Sequence, residues 1–252
     1  MNRTAKQLIY GGFYLAILTA FFMLVYLTVS EPVPGCLNGK QDEAEEGVDC
    51  GDVCSSVCLP VNLRPVAVQS VLGFSATPGT LQVLAKVQNP NTTLAARTFD
   101  YRFDLIGRDG KIAASSPGTG FIYAGEVKYM VAFADDHDTK DIARVDLKVQ
   151  NPVWEKGERF AKPRFDIQDR RVEASETTIT ITGRLVHRDT VDMPKVTVIA
   201  ILQSAGGRPL GISQTELDNV VTGEVRPFAV VHPAIGGVDP SKTELVVSAR
   251  RP

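Results

Sequence analysis

Phe99-Asp100-Tyr101-Arg102-Phe103-Asp104-Leu105 decides the fold class of this chain. Its apolar side chains fall at every second position. An extended strand therefore puts Phe99, Tyr101, Phe103 and Leu105 on one face and the charged residues on the other. Outward from it, Val127-Lys128-Tyr129-Met130-Val131-Ala132-Phe133 and Val145-Asp146-Leu147-Lys148-Val149-Gln150 nearly repeat the alternation. Leu81-Gln82-Val83-Leu84-Ala85-Lys86-Val87 does so with Leu84 as its one exception. Turn signals separate these runs: Thr77-Pro78-Gly79, Asn89-Pro90-Asn91, Arg108-Asp109-Gly110, Ser116-Pro117-Gly118 and Ala124-Gly125-Glu126. Half-buried strands at this spacing predict an antiparallel, immunoglobulin-like β-sandwich.

The pattern then recurs. Ile179-Thr180-Ile181-Thr182-Gly183-Arg184-Leu185 stands where 81–87 stood, and 196–202 followed by Gly206-Gly207-Arg208 matches 99–105 followed by Asp109-Gly110-Lys111. Gly223-Glu224-Val225-Arg226 matches Gly125-Glu126-Val127-Lys128, and 243–249 matches the last strand. The offset of about 98 residues is the size of one such sandwich. Two sandwiches are expected, at 61–150 and 164–252, with a linker at 151–163; its Trp154 reads as packed into the domain junction, with a binding anchor as the alternative.

Val87-Gln88-Asn89-Pro90-Asn91, Tyr101-Arg102-Phe103-Asp104-Leu105, Asp109-Gly110-Lys111 and Gly125-Glu126 together resemble the LEA14-like or FxLYD-type β-sandwich family. Ile106-Gly107 replaces the Tyr-Asp of that motif, and the second unit keeps only Asp189, Gly207 and Gly223-Glu224. The resemblance implies a fibronectin-III-like fold in an extracytoplasmic or stress-related protein, with no catalytic residues.

The N-terminal region is of another kind. Residues 8–29, LIYGGFYLAILTAFFMLVYLTV, carry no charge and as a helix span roughly 33 Å, close to the hydrocarbon thickness of a bilayer. Arg3 and Lys6 precede the run, and Glu31 with an acidic stretch follows it. The positive-inside bias then keeps residues 1–7 in the cytoplasm and exports the rest. A cleaved signal peptide would need Thr28-Val29-Ser30 as its cleavage region, and a lipoprotein would use Cys36 after Val33-Pro34-Gly35. The length of the run favours an uncleaved signal-anchor in the plasma (inner) membrane, with the bulk periplasmic or on the cell surface.

Between anchor and sandwiches, residues 30–60 hold every cysteine of the chain: Cys36, Cys50, Cys54 and Cys58. The segment has too few apolar side chains to offset its ordering cost by burial. In an oxidising compartment two disulfides are its staple, with three pairings open. A zinc site would want a second close cysteine pair, and Asp42, Glu45, Glu46, Asp49 and Asp52 do not follow a calcium-loop pattern. No metal and no cofactor is expected. The order Asn38-Gly39, Asp42, Glu45 and Gly47-Val48-Asp49-Cys50-Gly51 resembles a short cysteine-rich motif of bacterial surface proteins, implying an exported, disulfide-bonded spacer.

Chemistry is hard to find. His137, His187 and His232 have no carboxylate or thiol at ligand spacing, and Asp135-Asp136-His137-Asp138 reads as a solvated loop. No nucleophile elbow, phosphate loop, dinucleotide fingerprint or H-E-x-x-H occurs, so the chain reads as a non-enzyme. Asn91-Thr92-Thr93 is a glycosylation sequon, relevant only where that machinery exists. A formal net charge of −2 with scattered basic residues argues against nucleic acid. Small-ligand sensing is disfavoured because the residues before the helix cannot house an output. Two roles remain: an envelope interaction module binding another envelope protein, or a structural subunit of a membrane complex whose helix packs through Gly11-Gly12 and Ala16.

Overall fold

A computed structural model describes residues 3–29, 35–42, 45–51, 53, 54, 56–77, 79–137 and 139–252. Residues 30–34, Asp52, Pro78 and Asp138, which figure in the reading above, lie outside the described residues. The chain divides into two compact units, Met1–Leu59 and Pro60–Pro252.

In the first unit, helix α1 runs Arg3–Val29. Its stretch Ile9–Tyr26 is long and apolar enough to cross a membrane, and none of it is buried within the protein. The hydroxyl of Thr19 donates to the Leu15 carbonyl at 3.0 Å, so this polar group is satisfied inside the helix. Beyond the helix, disulfides join Cys36 to Cys54 and Cys50 to Cys58. An apolar N-terminal helix together with two disulfides points to a secreted or membrane location.

The second unit is β-structure: β1 (Ala67–Thr77), β2 (Thr80–Gln88), β3 (Leu94–Gly107), β4 (Ile112–Ile122), β5 (Val127–Asp135), β6 (Ile142–Lys156), β7 (Phe165–Ala174), β8 (Thr178–His187), β9 (Met193–Gln203), β10 (Pro209–Val220), β11 (Val225–Pro233) and β12 (Glu244–Ala249). They form four three-stranded antiparallel sheets, ordered β1-β2-β5, β4-β3-β6, β11-β8-β7 and β10-β9-β12. The first two sheets share one core, in which Val83 and Val87 of β2 meet Phe99 and Phe103 of β3, Ile122, Met130 and Leu147. The other two share a second, built on Ile181, Leu185, Val196, Val198, Leu202 and Phe228. Strand order is the same in both pairs.

The repeated Gly-Glu landmark has a physical basis. Gly125 and Gly223 take left-handed φ values of 65° and 77°, which close a turn that a side chain would strain. The following glutamate then accepts the N–H three residues back: Glu126 from Tyr123 and Glu224 from Val221, each at 2.9 Å. Its carbonyl accepts from Asn89 in one repeat and from His187 in the other. Those two buried residues hold the same turn from within, Asn89 Nδ2 to the Tyr123 carbonyl and His187 Nδ1 to the Val221 carbonyl.

Two expectations are corrected. Ser116-Pro117-Gly118 is not a turn; it lies within β4, where Pro117 opposes Arg102. An edge strand tolerates proline because half of its N–H groups have no ladder partner to lose. The glycines are required for space: a Cβ at Gly118 would stand 2.5 Å from the Tyr101 ring, and one at Gly120 2.6 Å from Phe99. Trp154 packs on the first core from within β6, which continues to Lys156 through the first half of the segment 151–163.

The two sheet pairs meet through unlike faces. Leu84 and half-buried Phe74, Tyr129 and Val131 on the outer face of β1-β2-β5 cover Ile199, Ile201, Ile212 and Val246 on the outer face of β10-β9-β12. Burying four such side chains contributes about 1.5–3 kcal/mol each as an upper estimate. One polar bridge crosses this contact: Gln82 accepts the Ile212 N–H at 3.0 Å and lies 3.3 Å from His232 Nε2. At its margin, Arg251 donates its backbone N–H to the Tyr123 hydroxyl and its guanidinium to the Ala161 carbonyl and Asp189.

Candidate interaction groove

Sheet β10-β9-β12 ends at β12, and sheet β11-β8-β7 ends at β7. In the first pair the corresponding strands, β1 and β6, pack on one another. In the second, a groove of about 1000 Å³ lies between them. Phe165, Ile167 and Gln168 line it from β7, and Glu244, Leu245, Val246 and Val247 line it from β12. Lys86, Val127 and Tyr129 of the first pair form the remaining wall. Ladder bonds use only one side of each edge strand, so alternate N–H and C=O groups of β7 and β12 face outward.

The groove is closed at one end and open at the other. Around Tyr123, Lys162, Pro163 and Phe165 it narrows to about 10 Å³. In the other direction it continues into a hollow of about 530 Å³ beside Arg170 and Lys242, sharing Ile167, Glu244 and Leu245. Its lining carries the cations Lys86, Lys162, Arg170 and Lys242 and the anions Glu126, Asp166 and Glu244. Lys162 pairs with Glu126 at 2.8 Å and Asp166 with Arg188 at 2.8 Å. Burial, with the Glu244 charge beside it, pushes the Tyr129 phenol upward.

The cysteine segment is a scaffold. Asp42 accepts the Gly35 N–H at 2.8 Å, and Asp49 accepts the N–H groups of Asn38 and Gly39, each at 2.9 Å. Glu45, which is buried, accepts the Asp49 N–H at 3.0 Å. In a segment with one isolated bridge, Gly47 to Cys50, these carboxylates replace a ladder as backbone acceptors. That explains the order of acids in the motif. Gly47 is needed because a Cβ there would lie 2.9 Å from the Cys50 sulfur. Among the described residues one group of three metal-type ligands lies close together, Cys36, Glu45 and Cys54. Its two sulfurs are joined to each other, leaving one carboxylate.

The histidines go to separate places. His187 stacks on Phe165 and His232 sits in the contact between sheet pairs. His137 lies in the loop after β5, its N–H on the Gly79 carbonyl. The sequon residue Asn91 spends its side-chain amide on the Arg64 carbonyl at 2.7 Å and on Asn89.

Sequence reasoning did not find the groove. Phe165-Asp166-Ile167-Gln168 alternates for only four residues before Asp169-Arg170-Arg171 interrupts it, a signal too short to mark a strand. Comparison with models of known families returns no match, and comparison with curated proteins returns none.

Proposed function

We propose that this protein is a membrane-anchored interaction module of a bacterial cell envelope, which binds and does not catalyse. The observation that carries this reading is the groove between β7 and β12, where two strand edges without a ladder partner border one compact unit. In this reading α1 is an uncleaved signal-anchor in the plasma membrane, residues 1–7 are cytoplasmic, and the remainder is extracytoplasmic. The stapled segment is a spacer. Each sheet pair is an immunoglobulin- or fibronectin-III-like sandwich, and the pair arrangement, with its Asn89 turn and Gly-Glu turns, supports a LEA14-like assignment.

Proximity crosslinking of the full chain in native membranes, followed by mass spectrometry, tests the role. Adducts concentrated on one or a few envelope proteins are expected; none above a membrane-only control would sink it. A second reading, a structural subunit of a membrane complex, is favoured by Gly11 and Gly12, which leave room for another helix to approach. It requires that exchanging 8–29 for an unrelated apolar helix abolish assembly, whereas the module reading expects partner capture to persist.

A further inference from the structure

We infer that the groove receives a short extended segment of a partner protein, hydrogen-bonded to the free edge of β12 as a fourth strand of sheet β10-β9-β12. This rests on the interaction-module reading and specifies its partner. A strand added there would not lie on an open surface. Because β10-β9-β12 is stacked between the other sheet of its own pair and the outer face of β1-β2-β5, the new strand would slide into both contacts. One of its faces would meet Phe165 and Ile167, and the other Val127 and Tyr129. The site therefore continues an interface the protein already uses.

Geometry and charge define the occupant. From Glu244 to Ser248 the edge offers about five residues, or about 17 Å at 3.3–3.4 Å per residue. Both faces of such a segment would contact apolar walls, so its side chains must be apolar on both sides along the middle. Pro163 and Lys162 block one end. The other end opens beside Arg170 and Lys242, and Lys86 stands on the side wall. With Lys162 held by Glu126 and Asp166 by Arg188, Lys86, Arg170 and Lys242 remain against Glu244, so the complementary segment carries carboxylates, placed toward the open end.

The test uses the full chain in native membranes, with a photo-crosslinking residue placed at exposed Gln168 or exposed Glu244, and at exposed Thr119 on β4 as a distant control. Adducts from Gln168 and Glu244 should map to one partner peptide of apolar residues flanked by Asp or Glu. A synthetic copy of that peptide should bind the purified chain and protect β12 amides from exchange. N-methylation of alternate amides on its bonding edge should weaken binding at least about tenfold. Arg170→Glu with Lys242→Glu, and separately Lys86→Glu, should cut adduct yield about tenfold while the thermal midpoint stays within a few degrees. Adducts at Thr119 with none in the groove would overturn the inference and leave the module reading standing. Groove adducts insensitive to both N-methylation and charge reversal would also overturn it. Adducts at no position would remove both readings.

Discussion

Two buried ionisable side chains tie stability to pH in separate windows. The Lys128 ammonium is buried with its Nζ 3.0 Å from the Phe121 ring centre and no hydrogen-bond partner among the described residues. Burial pushes it down to about 7, against the opposing charge of Glu126. Its folded value is depressed, so the stability it allows is full above about 10.5 and is lost as pH falls through about 7. Lys128→Met should therefore gain about 1–3 kcal/mol at pH 6 and far less at pH 10, read from urea midpoints. His232 works lower. Burial depresses it below 6.5, so its contribution is present above that value and declines as pH falls further. The buried neutral ring donates from Nδ1 to the Pro233 carbonyl and accepts at Nε2 from Gln82. His232→Gln should flatten the fall in stability below pH 6.5; an unchanged slope would exclude the ring as its source. Asp104 is their acidic counterpart, buried beneath Arg102 and Lys148. The Ser115 hydroxyl holds it at about 2 against the opposing pull of burial, helped by Lys148 and Arg102.

At the scale of elements, the contact between sheet pairs was written in the sequence as broken alternation. Leu84 interrupts an otherwise regular β2, and Val196-Thr197-Val198-Ile199-Ala200-Ile201-Leu202 is nearly continuous where its counterpart β3 alternates with charge. Both strands are buried on two faces, so both must be apolar on two faces. The edge strands β1, β4, β7 and β10 were harder to read because solvent on one side relaxes the demand for apolar residues, and Gly and Pro in β4 mimic a turn. Of the groove's two edges, β12 was legible at 243–249 and β7 was not, so the groove inherits the silence of β7. Leu84→Ala should cost about 2–5 kcal/mol by leaving a cavity between the pairs. Thr182→Ala, at the corresponding position of the second repeat, should stay within about 0.5 kcal/mol. Equal losses in denaturant titrations would contradict the assigned contact. In the cysteine segment, Cys50→Ser with Cys58→Ser opens a short loop worth about 2–3 kcal/mol. Hydrogen exchange should then rise across 35–59, and the unfolding midpoint of Pro60–Pro252 should not move.

Across the β unit, the apolar contact between the two sheet pairs is supplemented by the Gln82 bridge and by Arg251 at its margin. Burial would raise the Asp189 carboxyl, but the Thr190 N–H and the Arg251 guanidinium hold it below the ordinary range. Arg251→Ala removes that charge-assisted bond and the tie to Ala161, and should cost about 1.5–3 kcal/mol. The backbone N–H of residue 251 still reaches the Tyr123 hydroxyl, so calorimetry should show the single transition of the β unit moved to lower temperature and not split; an unchanged midpoint would argue against a tie at this point. The meeting of unlike faces has one more consequence. Joining the back of one repeat to the front of the next is the geometry from which open-ended arrays grow. Here growth is blocked at the first repeat. Asp100, Arg102 and Lys148, with buried Asp104 between them, occupy the outer face of β4-β3-β6, where the second repeat presents Ile199 and Ile201, and adding another copy would strip water from the three exposed charges. In this geometry the charged plate stands as an end-cap, opposing the addition of a third copy.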